Sequence, residues 1–362
     1  MAVTNTIDIF STYTMLAVVE TIVPESFFFR DRYFPTEEND IFNSDEVLVE
    51  YRKGDRQMAA FVSPRIGSIP VERGEYEIHK YAPAHIGVSR PLRADDLKKR
   101  GFGEALYSKS TPAQRALRLQ KEDFIDLDRR ISRREEWMSI QTMRYNACKM
   151  QEYLDEKTKG QVRYIKFYEE NNSEHTYTVA NKWSSNGADI SGDVEAMCDL
   201  LSERGLIAED LVLGKDVAKV FSKNPNILKL LDKNLQINFG GIDEKIIYPG
   251  IKKLGVFNFG GYILTVWVAN NTYEIKEDKK SMLVPYFPTD SVMVSFPKCG
   301  RMMYGNITQI NPVTKKFETI AAKRIPKLHI DEDNDTRSLR LRSRPLAAPK
   351  THCPFIFAEK VI

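Results

Sequence analysis

The sequence predicts a mixed α+β protein organised around one long helix, and three observations predict it. Residues 112–158 contain no Gly and, after Pro112, no Pro, and are rich in strong helix formers. Residues 64–92 are poor in apolar side chains and are punctuated by Gly67, Pro70, Gly74, Pro83, Gly87 and Pro91. From Ser191 onward, helix-period and strand-period apolar segments alternate, and this half carries the residues of a real core.

The totals set bounds. A chain of 362 residues is long enough for two domains or one large irregular one. Lys plus Arg is 53 against 50 for Asp plus Glu, whereas a dedicated nucleic-acid binder is expected to be more lopsided. Cys148, Cys198, Cys299 and Cys353 are far apart and form no CxxC pair. That spacing argues against zinc and against a disulfide framework, and fits a reducing compartment. The longest clean apolar run, Tyr262–Ala269, is too short to cross a bilayer. Residues 1–29 lack the basic start and small-residue cleavage site of a secretory signal. A soluble, cytosolic chain is expected.

Taken in order, residues 12–23 predict a short amphipathic helix with Leu16, Val19 and Val23 on one side and Pro24 at its end. The run Phe27-Phe28-Phe29-Arg30-Asp31-Arg32-Tyr33-Phe34-Pro35-Thr36 follows. Two readings stand: a segment tucked onto its own domain, or an arm whose aromatics anchor on a neighbouring subunit, since aromatic rings give large contact area for little entropy. Glu46–Tyr51 and Gln57–Val62 predict a hairpin turned at Arg52–Arg56. Ordering residues 64–92 costs roughly 1–2 kcal/mol per residue in backbone entropy, which so few apolar side chains cannot offset. Because Tyr76–Tyr81 alternates like a strand, an extended two-stranded finger ordered from outside its own chain is expected.

Thr111-Pro112 supplies a helix start and Gly160 a stop. Leu117, Phe124, Ile131, Met138 and Tyr145 recur every seven residues along one narrow stripe, with Lys121, Arg134 and Gln141 between them. One unbroken helix over this stretch would span on the order of 65–70 Å. So narrow a stripe suggests a spine with two charged faces left for water or neighbouring subunits. The alternative is two helices broken near Arg129–Arg134. Beyond it, Gln161–Tyr168 and His175–Ala180 predict a hairpin. Asp193–Glu203 predicts a helix with Val194, Met197 and Leu201 inward. Leu211–Leu213 predicts a strand before a helix capped by Asp216, with Val217, Val220 and Phe221 inward. A third short helix is expected around Ile227, Leu228 and Leu231. Strands are expected at Lys245–Tyr248, Val256–Phe259, Tyr262–Ala269, Val292–Phe296 and Phe317–Ala322.

Sites of chemistry are sparse. Asp331-Glu332-Asp333-Asn334-Asp335 lacks the Gly and distal Glu of a calcium loop, so a solvated loop is expected. Asn238-Phe239-Gly240-Gly241 and Asn258-Phe259-Gly260-Gly261 lie between strands rather than before a helix, which favours turns over a phosphate cradle. His79, His85, His175, His329 and His352 are scattered, and no GxSxG context appears. No catalytic, cofactor-binding or metal residue is predicted. Arg340, Arg342 and Arg344 fall on one face of a strand, with Arg337 nearby. A solvated edge, ion pairs to a neighbouring chain and loose contact with phosphates all remain open.

The aromatic run from Phe28 to Thr36, the strand pair ending Phe61-Val62-Ser63-Pro64, the sparse finger and the Arg/Glu-rich helix occur in one order. That order resembles the major capsid proteins of lambda-type tailed phages, the phage major capsid protein E family. Pro288-Thr289-Asp290-Ser291-Val292-Met293-Val294 resembles the family's Pro-and-Asp approach to a strand. Ser343-Arg344-Pro345-Leu346 with Glu359-Lys360-Val361-Ile362 resembles its terminal strand. Residues 186–280 match in pattern only, and Asp331–Asp335 departs from it.

The resemblance implies an α+β Hong Kong 97-type phage capsid fold with N-terminal arm, extended β-hairpin loop, long spine helix, peripheral lobe and axial lobe. Residues 1–50 would be the arm and first strand, 51–100 the extended loop, and 101–185 the peripheral lobe with spine helix 112–158. Residues 186–320 would be the axial lobe, and 321–362 terminal strands returning to the peripheral lobe. It implies a major capsid protein, not an enzyme and without cofactor, that self-assembles into hexamers and pentamers enclosing double-stranded DNA. Expected partners are further copies of itself, a separate scaffolding protein, a portal, a decoration protein and packaged DNA held non-specifically, with no membrane. Its place would be the virion, after assembly in the host cytoplasm. Because the arm begins near Met1, no cleaved N-terminal scaffold domain is expected. Inter-subunit contacts are expected from Phe28, Phe29, Arg30, Tyr33, Phe34, Tyr76, Ile78, Tyr81, Arg129, Arg130, Arg133 and Arg134. Competing readings are an encapsulin-like cellular nanocompartment shell, and a two-domain cytosolic enzyme with a cleft in its α/β half.

Overall fold

The computed structural model describes residues 26–52, 76–93, 112–153, 158–167, 174–185, 187–227, 248–277, 280–311, 314–331 and 336–362. The expectations for residues 12–23, Gln57–Val62, Leu228, Leu231, 245–247 and 332–335 lie outside these.

In chain order the elements begin with α1 (Phe28–Tyr33), β1 (Val47–Arg52), β2 (Tyr76–Tyr81), β3 (Ile86–Arg93) and α2 (Pro112–Tyr145). Then come β4 (Ala147–Tyr153), β5 (Lys159–Lys166), β6 (Thr176–Tyr177), α3 (Ile190–Glu203), β7 (Asp210–Gly214) and α4 (Lys215–Phe221). Next are β8 (Ile251–Phe259), β9 (Tyr262–Ala269), β10 (Thr272–Glu277), β11 (Lys280–Pro285), β12 (Val292–Ser295), β13 (Gly300–Tyr304), β14 (Ile307–Ile310) and β15 (Phe317–Ile320). The chain closes with β16 (Ile325–Asp331), β17 (Thr336–Ser343), β18 (Pro345–Pro349) and β19 (Ile356–Ala358).

The long helix is continuous through Arg129–Arg134 but shorter than expected, at 34 residues, or about 51 Å. It ends at Asn146 rather than Gly160. Asn146 adopts φ 48°, a left-handed conformation that Asn tolerates better than most residues. Its backbone carbonyl accepts from the Phe167 N–H at 3.0 Å, and its side-chain amide donates to the Phe167 carbonyl at 3.2 Å. Those bonds start the β4–β5 ladder, so Lys159–Lys166 pairs with Ala147–Tyr153 and not with residues 175–180. Thr176–Tyr177 instead runs parallel to β19.

A six-stranded sheet, ordered β6-β19-β12-β7-β9-β8, is the centre of the molecule. Its middle strands are buried on both faces, and side-chain alternation splits them between two cores. Leu211, Leu213, Val292, Val294, Ile356 and Ala358 face α3 and α4, joining Val194, Met197, Leu201, Val217 and Phe221. Val212, Met293 and Phe357 face the other way, towards α1 and the C-terminal half of α2. This explains why the strands show continuous apolar runs rather than alternation. Helix α3 begins three residues earlier than expected, at Ile190, capped by Asp189, whose side chain accepts from the Gly192 N–H at 3.0 Å. The cap residue of α4 is Gly214, while Asp216 lies in the first turn and pairs with Lys219. Val220 is only half-buried.

The N-terminal half of α2 rests on a separate three-stranded sheet, ordered β16-β17-β3. Phe124, Leu127 and Ile131 pack there on Leu328, Leu339 and Leu341, with Ile86 and Val88 at the margin. The expectation of a coreless finger over 64–92 is thereby corrected for its second half. Ile86–Arg93 is laced to Thr336–Ser343 of its own chain and presents alternate residues to its own helix. Likewise β1 pairs with Tyr76–Tyr81. Of the terminal strands, β18 pairs with β13 beside α2, and β19 enters the six-stranded sheet, where Phe357 still faces the C-terminal half of α2.

Candidate functional site

The N-terminal aromatic run is built into its own chain. Phe28, Phe29, Tyr33 and Phe34 are each 1 % exposed or less. Phe28 meets Phe29, Tyr33 and Tyr248 edge-on, and Phe29 stacks on Phe287. This corrects the expectation that these four anchor on a neighbour: a six-residue helix with one apolar side finds a complementary groove between α2 and the central sheet, and fills it. Arg30 also turns inward, to Asp31 and Glu135.

Two buried carboxylates of α2 hold the segment. Glu136 accepts from the Phe29 and Arg30 backbone N–H groups at 3.1 and 2.7 Å and from the Asn271 side-chain amide at 3.2 Å. It thus takes up free N–H groups at the head of α1. Burial pushes its carboxyl up to about 7, although the two N–H groups and Arg30 oppose the shift. Glu135 accepts both prongs of Arg324 at 2.6 and 2.9 Å and the Tyr304 hydroxyl at 3.0 Å. Burial would raise its carboxyl too, but Arg324 and then Arg30 outweigh it, so the group lies below the usual carboxylate range. Arg324 also bonds Asp128 and Ser132. At the far end of α1, Asp210 of β7 accepts from Arg32, the Tyr33 hydroxyl and the Trp267 indole N–H within 3.1 Å. Arg32 lies over the Trp267 ring. The run therefore rivets helix α2 to the central sheet.

None of Glu135, Glu136, Asp210 or Arg324 stood out in the sequence. One signal was present for Glu135, which lies four residues after Ile131 and three before Met138. An acid on an apolar stripe requires a buried partner.

The remaining expected contact residues separate by place. Tyr81 packs on Phe167 of its own chain, and Tyr76 and Ile78 stand opposite Arg52 and Glu50 in the β1–β2 ladder. Arg129, Arg130, Arg133 and Arg134 lie on the exposed side of α2, with Arg130 bonded to Asp126 and Arg134 over Trp137. Several exposed apolar side chains lie elsewhere, on three hairpins. Met282 and Leu283 are 61 % and 73 % exposed on β10–β11. Ile310 and Phe317 are directly opposed on β14–β15, with Phe317 77 % exposed. Tyr153 and Tyr164 stand out on β4–β5. Sequence patterning did not separate these residues from core-facing ones.

Glu174, His352 and Cys353 bring three metal-capable atoms within 4.8 Å of one another. Burial pushes the Cys353 thiol up to about 11, and the Arg204 guanidinium donates to the Cys353 and Glu174 backbone carbonyls. A protonated thiol beside a fixed cation disfavours a divalent ion. The Asn258–Gly261 repeat is a turn between β8 and β9, with the Gly261 N–H on the Asn258 side chain.

Residues 11–358 match the family described as phage major capsid protein E. The chain belongs to that family. No curated protein sequence matches it at a significant level. The crystal structure of a prophage protein from E. coli CFT073 assigned as a capsid protein is similar, with TM-score 0.66, 15 % identity and coverage of 96 % of this chain and 98 % of that one. A phage-related protein from Bordetella bronchiseptica RB50 gives TM-score 0.48 at 8 % identity over 97 % of each chain. The mature capsid of bacteriophage PhiM1 gives 0.47 at 10 % identity, covering 94 % and 88 %. The fold of this family member is thus the α+β Hong Kong 97-type capsid fold, and the protein is a shell-forming major capsid protein of the virion. Among the described residues no helix is long and apolar enough to cross a membrane.

Proposed function

We propose that the chain closes with further copies of itself, as hexamers and pentamers, into an icosahedral head enclosing double-stranded DNA, and that it performs no catalytic step. The family match over residues 11–358 carries this reading. It is supported by large apolar side chains left bare on hairpins, Leu283 and Phe317 above all. A closed symmetric shell covers such tips, and many weak contacts per subunit multiply on closure. We assign the exposed row Arg129, Arg130, Arg133 and Arg134 to contacts with neighbouring subunits, leaving the aromatic run as an internal rivet. In this proposal α2 keeps the role of spine helix, and the six-stranded sheet with α3 and α4 that of axial lobe. A separate scaffolding protein, a portal and a decoration protein are the proposed partners.

Electron microscopy of the purified protein tests the reading. Closed shells are expected; discrete small oligomers under all assembly conditions would overturn it. Nuclease-protected DNA inside particles recovered from the host separates a phage head from a compartment loaded with enzyme cargo.

A further inference from the structure

The three-stranded sheet β16-β17-β3 has two unlike faces. One rests on α2 through Leu328, Leu339, Leu341 and Val88. Side-chain alternation turns Arg340 and Arg342 to the other face, together with Lys327, which stands directly opposite Arg340 on β16. Ser89 flanks Arg340 from β3, and His329 stands opposite Ser338. Arg344, which the sequence grouped with this row, leaves it: its guanidinium donates to the Pro83 carbonyl and pairs with Asp45.

Most guanidinium groups nearby are matched by carboxylates: Arg90 by Asp123 and Asp126, Arg130 by Asp126, Arg324 by Glu135 and Asp128. Lys327, Arg340 and Arg342 have no hydrogen-bond or ion-pair partner among the described residues. They feel one another instead. Burial first, then Arg342 and Arg340, hold the Lys327 ammonium below its usual range, and burial with Arg340 does the same to Arg342. Successive same-face residues on a strand are about 7 Å apart and directly opposed ones roughly 5 Å. Three cations so close, with no carboxylate bonded to them among the described residues, repel one another.

We infer that this sheet face is where the shell protein meets the sugar-phosphate backbone of the DNA it encloses. The inference rests on the head-shell reading above and deepens it by placing the contact. A flat pleated face encloses no small anion but fits an extended polyanion laid along it. Ser89 and Ser338 add hydroxyl donors between the cations, suited to phosphate oxygens rather than base edges. The contact is therefore sequence-independent and salt-sensitive. Face-to-face meeting of two copies would set the same cations against each other, which disfavours a second copy as the occupant.

The test uses the full chain before assembly and a 30-bp duplex of arbitrary sequence, with affinity followed by fluorescence anisotropy across a salt series. Every phosphate that the protein ceases to neutralise removes about 0.9 from the slope of log affinity against log salt. The Lys327→Gln/Arg340→Gln/Arg342→Gln variant is expected to lower that slope by about 2 to 3, while Lys215→Gln/Lys223→Gln, at exposed positions at the two ends of α4, leaves it unchanged. An unchanged slope in the triple variant overturns the inference. Should the triple variant fail to fold by circular dichroism, Arg340→Gln and Arg342→Gln singly are each expected to lower the slope by about 1; no change in either overturns it equally. A folded triple variant with normal DNA affinity that no longer forms shells would assign the face to contact between copies and overturn the inference. If the unaltered protein forms no shells yet shows the slope change, the head-shell reading fails and the polyanion face stands.

Discussion

Arg324 and Glu135 meet in a two-pronged ion pair, Nη1 to Oε1 at 2.6 Å and Nη2 to Oε2 at 2.9 Å, with the carboxylate fully buried. Arg324 lies just ahead of β16 and Glu135 about two-thirds of the way along α2, between Ile131 and Met138, so the pair ties the three-stranded sheet to the helix where its packing passes from one core to the other. Cutting one side leaves the other charge stranded in the core. Arg324→Ala is expected to cost about 3–5 kcal/mol. Denaturant unfolding of the unassembled chain measures it. Replacing both partners by apolar residues should cost less than either single change.

Glu136 gives the protein an unusual pH response. Its carboxyl is raised to about 7 in the folded chain from an ordinary value of 4.5. The folded state therefore holds a proton over this window that the unfolded chain has released. Stability from this group is full below about pH 4.5 and declines as pH rises towards 7, by on the order of 3 kcal/mol. Glu135, lowered by Arg324, works the other way: its contribution is present above the ordinary glutamate range and lost as pH falls through its folded value. Unfolding curves of Glu136→Gln against the parent isolate the first effect. The variant should lack the decline between pH 5 and 7; parallel profiles would refute the assignment.

Gly300 is held by a close approach, not by a turn. A Cβ there would fall 2.3 Å from Phe34 ring carbons and 2.8 Å from the Ala348 carbonyl oxygen. Gly300→Ala must displace either a buried ring or the β13–β18 ladder, and is expected to destabilise by about 1–3 kcal/mol. Thermal unfolding provides the measurement. Pairing it with Phe34→Leu should recover part of the loss, since the smaller side chain makes room.

Phe317→Ser and Leu283→Ser should behave in the opposite manner. Both side chains are mostly bare, so the unassembled chain is expected to keep its stability within about 0.5 kcal/mol. Shell yield, counted by electron microscopy under fixed conditions, is expected to fall. Unchanged yield in both variants would remove these hairpins from the assembly surface.

Local signals carried much of the reading. The start of α2 at Pro112, the inward residues Val194, Met197 and Leu201 of α3, and the strand Tyr262–Ala269 all follow from period and capping, because each depends on neighbours a few residues away. The misses share a cause. The hairpin expected of Gln161–Tyr168 with His175–Ala180 fails because strand partners are chosen by tertiary fit, and Asn146 set the pairing from the other side. The stripe on α2 looked too thin for a core helix, yet Ser132, Glu135, Glu136, Ser139 and Thr142 are buried beside it. Polar residues can sit inside when partners reach them: Ser139 donates back to the Glu135 carbonyl within the helix, but partners of Ser132, Glu135, Glu136 and Thr142 lie some 100 to 200 residues away in the chain.

The order of residues was enough to establish the class: an α+β capsid chain with a long helix, a sparse segment before it and a well-filled α/β half after it. Composition and periodicity are properties of the polymer and survive without coordinates. Folding in three dimensions was needed to show that Phe28–Phe34 is an internal rivet rather than a grappling arm, and that Arg344 parts company with Arg340 and Arg342. In both cases a side chain's role depends on which distant groups share its surroundings: desolvation drives the aromatics into a groove made by other segments, and a carboxylate within reach claims one arginine and leaves two unmatched.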